Sequence, residues 1–257
     1  VNLFRSLGLR MNQMIKGLDW LSTLKSISVN SGNTKGLCVG CLSTNAFRGL
    51  CKFCEADLPV NRWHCHSCAL PLAHSGDRHL CGDCLTSPPP FDRSLIPWRY
   101  QYPVDSMISR YKYSGQRKFA RPLIAGFADY LAPTLQDCGC SKPDMLIPSP
   151  MLPGRRRKRG FNQARDIAES LGHTLNIPVR TDVVRRTRKV QAQRGLGREA
   201  RLTNMHGVFE VYKAVPERVA IVDDVVTTGA TMRILASVLR EAGAQEIQVW
   251  ALARTPG

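Results

Sequence analysis

Two adjacent carboxylates, Asp223 and Asp224, stand between an apolar run and a turn rich in Thr and Gly. The apolar run, 219–222, predicts a buried parallel strand, and the spacing from Ala230 onward predicts a helix that stops at Gly243. A small-residue loop between a strand and a helix presents backbone N–H groups and the positive end of the helix dipole, which suit a phosphate. Neighbouring carboxylates can accept hydrogen bonds from vicinal hydroxyls, so the stretch predicts a site for a phosphorylated sugar. The alternative is an ordinary strand-to-helix turn whose Asp pair caps the helix.

The same stretch resembles the motif with which type I phosphoribosyltransferases bind 5-phosphoribosyl-1-pyrophosphate (PRPP). The resemblance implies that Asp223 and Asp224 are the catalytic residues and hold the two ribose hydroxyls. It also implies that the following loop binds PRPP through Val226, Thr227, Thr228, Gly229, Ala230 and Thr231. Enzymes of this class that act on 6-oxopurines carry a further Asp where this chain has Thr227, so hypoxanthine or guanine is disfavoured as the acceptor.

Cysteines supply a second kind of chemistry. Two Cys separated by two residues bind one tetrahedral ion well and form a disulfide with each other poorly. Eight of the ten cysteines form four such pairs: Cys38/Cys41, Cys51/Cys54, Cys65/Cys68 and Cys81/Cys84. The simplest assignment gives one zinc ion to the first two pairs and a second to the last two, and a cross-braced arrangement is the alternative. Sites made of four cysteines leave no open coordination position, so both ions are predicted to be structural.

The surroundings of the cysteines favour a reducing compartment. No secretion signal is evident, so thiolate-bound zinc in the cytoplasm is expected rather than disulfides. No window approaches 18 consecutive apolar residues, and no transmembrane segment is predicted. The nearby histidines are expected to be surface residues, with replacement of a cysteine ligand as the alternative: His64, His66, His74 and His79.

Positive charge is concentrated in one part of the chain. The net charge is +16, and residues 151–201 carry fourteen Lys or Arg against four Asp or Glu, a net of about +10. A solvated basic face is one interpretation of this excess. A pyrophosphate pocket, a nucleic-acid surface, or both are the functional interpretations.

The order of predicted elements indicates an α/β domain. Strands are predicted at 98–102, 145–147, 206–212, 218–222 and 246–252, and helices at 104–113, 119–131, 161–172 and from 230. This alternation predicts a mainly parallel sheet with helices on both faces. Ligands of such sheets bind at the carboxyl ends of the strands, where Asp223 lies. We divide the chain into a poorly ordered extension (1–35), a double zinc ribbon (36–87), a Pro-rich linker (88–93) and the α/β domain (94–257).

Two basic segments are expected to complete the site. The Arg-rich stretch 153–160 lies between a predicted strand and a predicted helix, so we expect a loop at the ligand edge of the sheet. In a phosphoribosyltransferase this loop holds the leaving pyrophosphate, and the candidates here are Arg155, Arg156 and Arg159. Residues 185–209 are basic and poor in apolar side chains, which predicts a mobile loop. Loops of this type close over PRPP and exclude water, and the candidates in it are Arg188, Gln193 and Arg201.

Taken together, these features resemble the ComF family, which includes the competence protein ComFC and the GntX-type proteins. The resemblance covers about residues 36–255 and includes the Cys pairs, the Pro-rich linker, the sequence Gly-Phe-Asn-Gln at 160–163 and the Asp223 motif. Val190 is a departure, since relatives commonly carry Thr there. The resemblance implies a type I phosphoribosyltransferase-like fold joined to a zinc module. It also implies a part in DNA uptake, in natural competence or in the use of external DNA.

Two functions remain open from the sequence. In the first, an acceptor nitrogen displaces pyrophosphate from PRPP with the help of magnesium, and the Asp pair and Arg side chains position and stabilise the reacting groups. In the second, the chain is a non-catalytic adaptor that handles single-stranded DNA, with the fold acting as a PRPP or nucleotide sensor or as a scaffold. The expected partners are PRPP and, for the adaptor, single-stranded DNA and proteins of the DNA-uptake machinery.

Overall fold

A computed structural model of the chain describes residues 36–73, 79–137, 141–187 and 207–257. Gly36–Gly257 form one compact unit. In the cysteine region, two short helices, α1 (Lys52–Ala56) and α2 (Gly82–Thr86), each follow directly on a cysteine and carry another one in their first turn. This repeat gives the two halves of the region the same local geometry.

A parallel sheet forms the centre of the rest of the chain. Its strand order is β1 (Arg93–Leu95), β7 (Glu246–Arg254), β6 (Arg218–Val226) and β3 (Met145–Pro148), and β2 (Trp98–Arg99) also pairs with β7. All of these pairings are parallel. The long central strands β6 and β7 are apolar on both faces, as expected for strands covered on both sides.

Helices and a hairpin cover the two faces of the sheet. On one side lie α4 (Ala120–Asp137) and α6 (Gln163–Leu175), preceded by α3 (Val104–Ser114) and α5 (Pro153–Arg159). On the other side lie α7 (Ala230–Glu241) and an antiparallel hairpin of β4 (Val184–Arg186) and β5 (Phe209–Val211). The predicted α/β class with a mainly parallel sheet is therefore confirmed. None of the described helices is long and apolar enough to cross a membrane.

Two of the differences from the predicted boundaries concern the site. The Arg-rich segment, predicted as a loop, contains helix α5, because Pro is favourable at the first helical position and Arg is a good helix former. The strand predicted to end at residue 222 continues to Val226, because β7 keeps pairing with it as far as Val226 and Arg254. Both carboxylates therefore lie within β6 rather than after it.

The cysteine region is bonded to the sheet. Asn61 N–H donates to Pro97 O at 2.7 Å, and Arg99 N–H donates to Pro59 O at 2.8 Å. The buried guanidinium of Arg254 at the end of β7 donates from Nε to Cys68 O at 3.2 Å. The state of the cysteine region can therefore affect the end of the central sheet.

Candidate functional site

The two carboxylates lie at the carboxyl edge of the sheet and point to opposite faces. The neighbouring strand β3 ends at Pro148, which pairs with Val222, so Asp223 and Asp224 extend beyond it. Consecutive residues of a strand alternate between the faces. Asp224 therefore lies on the side of the helices α3 and α6, and Asp223 lies on the side of the β4–β5 hairpin.

Asp224 is held by an ion pair from helix α3. Lys112 Nζ lies 2.9 Å from Asp224 Oδ2, and the two side chains are 17% and 10% exposed. The other oxygen, Oδ1, accepts the N–H of Val225 at 2.7 Å. A carboxylate oxygen can accept about two hydrogen bonds, so each oxygen of Asp224 retains capacity for a ligand hydroxyl.

Asp223 has an unusual protonation equilibrium. The residue is half-buried in the structure. Burial, followed by the negative charge of Asp224, raises the pKa of Asp223 to about 7. The Asp224 N–H, which donates to Asp223 Oδ1 at 2.8 Å, together with Lys112 and the Ser149 hydroxyl, opposes this rise. Near neutral pH Asp223 is therefore a mixture of its protonated and its charged form.

The loop between β6 and α7 has the features of a phosphate site. Thr227 and Thr228 are exposed, and Gly229 has a φ of 76°, a conformation that strains other residues. Within the part of the chain that the structure describes, no group accepts a hydrogen bond from the N–H of Thr228 or Gly229. Helix α7 begins at the next residue, Ala230, so its positive dipole end lies at the same loop. Thr231 follows in its first turn.

Arg254 holds the backbone carbonyl groups around this loop by hydrogen bonds. Its guanidinium donates to Val226 O at 3.3 Å, to Thr255 O at 3.0 Å and also to Thr227 O. These bonds turn the carbonyls of the loop toward the protein interior. The arrangement leaves the amide groups of the loop for a ligand.

Arg186 interacts electrostatically with Asp223, and Arg155 interacts with Arg186. Burial, followed by the charge of Arg155, lowers the pKa of Arg186, whereas the charge of Asp223 raises it. Arg155 and Arg186 therefore belong to the same electrostatic site as the carboxylates. Arg159 lies elsewhere, with its guanidinium 5.3 Å from the ring centroid of Tyr113.

Sequence reasoning identified part of this set and missed part of it. The structure brings the Asp pair, the Thr-Gly loop and Arg155 to one edge, whereas Arg188, Gln193, Arg201 and the Arg156 side chain lie outside the described residues. The missed residues are Lys112 and Ser149, whereas Arg186 lies in the basic segment 185–209 that was expected to close over the ligand. Ser149 directly follows strand β3, so the strand-end rule that singled out Asp223 could have found it. No sequence signal connects Lys112 with Asp224, because they lie in elements more than one hundred residues apart.

The cysteines form two separate clusters in the sequential arrangement. One cluster contains Cys38, Cys41, Cys51 and Cys54, and the other contains Cys65, Cys68, Cys81 and Cys84, with the Sγ atoms of each cluster within 4.8 Å of one another. Neither cluster includes a histidine among the described residues.

The donor set of each cluster fits a zinc ion. In equivalent positions, Cys51 N–H donates to Cys38 Sγ at 3.4 Å, and Cys81 N–H donates to Cys65 Sγ at 3.3 Å. The Cys68 thiol, acting as a hydrogen-bond donor, lowers the pKa of Cys65 to about 4, with backbone N–H groups adding to this effect. Three cysteines of each cluster are buried, whereas Cys41 is exposed and Cys68 is half-buried. Groups of four thiolates are the ligands of structural zinc sites, so the two clusters are compatible with two such ions.

Comparison with known proteins gives relatives across most of the chain. No family model matches it. It is 33% identical to competence protein F of Haemophilus influenzae, over 81% of this chain and 92% of that protein. It is 33% identical to the DNA utilization protein YhgH of Escherichia coli K12, over 86% of this chain and 97% of that protein.

More distant matches extend these comparisons. Competence protein ComFC of Streptococcus pneumoniae is 28% identical, over 60% of this chain and 65% of its own length. The solved structure of a purine phosphoribosyltransferase from Pyrococcus horikoshii aligns with 52% of this chain and 70% of its own, at 21% identity and a TM-score of 0.33. The relatives that are aligned over nearly their whole length show that the chain belongs to the ComF family of competence and DNA-utilization proteins.

Proposed function

We propose that the chain binds PRPP together with Mg²⁺ at the carboxyl edge of the sheet. The observation that carries this proposal is the placement of an acidic pair and an amide-bearing Thr-Gly loop side by side at the end of β6. The acidic pair accepts the ribose hydroxyls, and the loop with the α7 dipole receives the 5-phosphate. Magnesium is carried by the pyrophosphate of the ligand, whose charge Arg155 and Arg186 help to balance.

The same arrangement suits transfer of the phosphoribosyl group. An acceptor nitrogen forms a bond to C1 of the ribose as the bond from C1 to the pyrophosphate oxygen breaks, and pyrophosphate leaves with the electron pair. Basic groups beside the leaving group stabilise its developing charge. The side chains of the protein position the reacting groups and stabilise the charge of the leaving pyrophosphate. No covalent intermediate with the protein is needed.

The names of the relatives support a role of this chemistry in the handling of DNA. Relatives are named for competence and for DNA utilization, and we extend that role to this chain, in the cytoplasm. We further propose that residues 36–87 form a double zinc ribbon, that 88–93 link it to the α/β domain at 94–257, and that both zinc ions are structural.

Calorimetric titration with PRPP and Mg²⁺ tests the binding proposal. We expect saturable heat with a stoichiometry of about one PRPP per chain. Pyrophosphate release in the presence of a panel of nitrogenous bases then tests transfer. Absence of binding heat at millimolar ligand would contradict the proposal, whereas binding without pyrophosphate release would restrict the chain to sensing PRPP.

The affinity for PRPP is expected to rise with pH through about 7. Burial and the charge of Asp224 raise the pKa of Asp223 to about 7. Below pH 7, the carboxyl group of Asp223 must therefore lose a proton before it can accept the ligand hydroxyls as a charged group. Affinity should increase up to about tenfold per pH unit below 7 and level off above it. Calorimetry in buffers of different ionisation enthalpy gives the number of protons released when PRPP binds. The pKa values of the phosphate groups of free PRPP are measured separately by ³¹P NMR. Affinity independent of pH after that correction would contradict the assignment.

A second candidate function is binding of single-stranded DNA by the cysteine region. Phe53 is 85% exposed and Trp63 is 42% exposed. Arg62 lies over the Trp63 ring at 6.0 Å, and Arg48 lies over the Phe47 ring at 5.2 Å. Exposed aromatic rings beside cations are typical of surfaces on which successive bases stack, and relatives are named for DNA utilization.

Replacing Phe53 and Trp63 with Ala is expected to weaken binding of a labelled oligothymidylate by about tenfold or more, because each stacked base contributes about 1–3 kcal/mol. Fluorescence anisotropy across a salt series measures the effect. Leu85→Ala is the matched control, since it removes an exposed apolar side chain without a ring. Equal affinity of wild type and the double variant would contradict this surface.

A further inference from the structure

Helix α3 is fixed against the start of α6 on either side of Lys112. The Tyr111 hydroxyl lies 3.2 Å from Asp166 Oδ2, and Arg117 Nε lies 3.1 Å from the same oxygen. The rings of Tyr111 and Phe161 are 5.3 Å apart. Tyr111 is buried, so this junction is part of the packed interior. The helix therefore delivers the Lys112 ammonium to a defined place rather than to solvent.

The ammonium of Lys112 lies at Oδ2 of Asp224. An ion pair of 2.9 Å between side chains that are 17% and 10% exposed is too enclosed to be an incidental surface contact. Breaking such a pair leaves an uncompensated charge. Lys112 engages Oδ2 and the Val225 N–H engages Oδ1, which leaves room on both oxygens for a ligand hydroxyl. The ammonium therefore does not block the proposed site.

We propose that Lys112 is a positioning residue: its ion pair holds the carboxylate of Asp224 in place, and its positive charge favours the charged form of the acidic pair. The inference rests on the proposed function, since it concerns the acidic pair that accepts the ribose hydroxyls there. Lys112 acts through Asp224 and makes no contact with the ligand.

The polar and charged groups around the two carboxylates support this role of Lys112. On the side of Asp223 lie Ser149, Arg155 and Arg186, and on the side of Asp224 lie Tyr111 and Lys112. Two adjacent carboxylates cannot both ionise easily. Burial, followed by the charge of Asp224, raises the pKa of Asp223, and the positive charge of Lys112 opposes this rise.

Calorimetry with PRPP and Mg²⁺ from about pH 6.5 to about pH 9 tests this role. Lys112→Met removes the ammonium, so the pair takes up a proton more readily, and we expect affinity at neutral pH to fall about tenfold or more. The deficit should shrink to within about threefold at the upper pH, where both carboxylates ionise without help. Lys112→Arg should restore most of the affinity, and Lys118→Met, which removes a nearby exposed charge, should match wild type.

A deficit that stays constant with pH would overturn the inference, because it would mean that Lys112 contacts the phosphates of the ligand directly. Wild-type affinity in Lys112→Met would overturn it as well. The affinities of wild type and variants are compared at the same pH, so the protonation of PRPP itself affects both equally. If Lys112→Met does not fold, Lys112→Gln, which keeps a polar side chain, is measured in its place. Failure of wild type to bind PRPP would instead sink the proposed function, so the two failures are distinguishable.

Discussion

Replacing both Asp223 and Asp224 with Asn is expected to abolish measurable binding of PRPP. Each carboxylate accepts a ligand hydroxyl in the proposed complex, and a hydrogen bond to a charged group contributes about 1.5–3 kcal/mol. Loss of both therefore lowers affinity by about two to four orders of magnitude. Calorimetry with PRPP and Mg²⁺ measures the change.

The single variant Asp223→Asn separates binding from folding. The pKa of Asp223 is raised from 3.8 to about 7 in the folded chain. Ionisation of this carboxyl therefore opposes folding, with a cost that grows as the pH rises from about 4 to about 7 and is complete above it. Above pH 7 the amide avoids that cost, so thermal unfolding should show equal or greater stability while PRPP affinity falls. Gain of stability with loss of ligand is characteristic of a functional residue.

A matched carboxylate at the opposite edge of the sheet provides the control. Asp144 precedes β3 and pairs with Arg218 at the start of β6, with 2.6 Å between Asp144 Oδ1 and Arg218 Nη2. Asp144→Asn should leave PRPP affinity within about twofold of wild type, because it lies at the amino ends of the strands. PRPP affinity within threefold of wild type in the double Asn variant would refute the assignment of the acidic pair.

The framework of the site could be predicted from the sequence because its signals are local. An apolar run followed by carboxylates and a Thr-Gly turn predicts a strand, a ligand edge and a helix start within about 15 residues, and β6 and α7 are found there. The Cys-x-x-Cys spacing likewise predicts metal ligands locally. The end of β6 was missed because its continuation to Val226 depends on pairing with β7, which no local pattern contains.

The electrostatics of the site could not be predicted because they arise between distant elements. The interactions of Asp223 with Ser149 and Arg186 depend on how a strand end and a hairpin pack together. Lys112 reaches Asp224 because α3 is docked through Tyr111 on α6. Sequence spacing carries no information on the relative rotation of packed helices and strands, so these partners need coordinates.

Loss of the second cysteine cluster is expected to damage both the fold and the PRPP site. Cys65→Ser removes one ligand, and we expect bound zinc to fall from about two ions to about one per chain. Structural zinc supplies a large share of the folding free energy of small modules. A loss of about 4 kcal/mol would lower the melting temperature by about 10 °C. Metal analysis and thermal unfolding measure both effects.

The effect on PRPP should differ between the two clusters. Cys68 O accepts a hydrogen bond from Arg254 Nε, and the same guanidinium holds the carbonyls of Val226 and Thr227 at the start of the phosphate loop. Release of the second cluster would free one side of Arg254 and loosen this loop. Cys38→Ser in the first cluster is the matched control, because it also removes one zinc ligand.

We therefore expect Cys65→Ser to bind PRPP about tenfold or more weakly, and Cys38→Ser to remain within about threefold of wild type at a temperature where both are folded. Arg254→Met tests the same link with the metal in place. It should retain two zinc ions and lose affinity to a similar extent, because it removes the guanidinium that donates to the carbonyls of Cys68, Val226 and Thr255. Equal PRPP affinity of the two cysteine variants, together with wild-type affinity of Arg254→Met, would mean that the cysteine clusters stabilise the chain without acting on its ligand site.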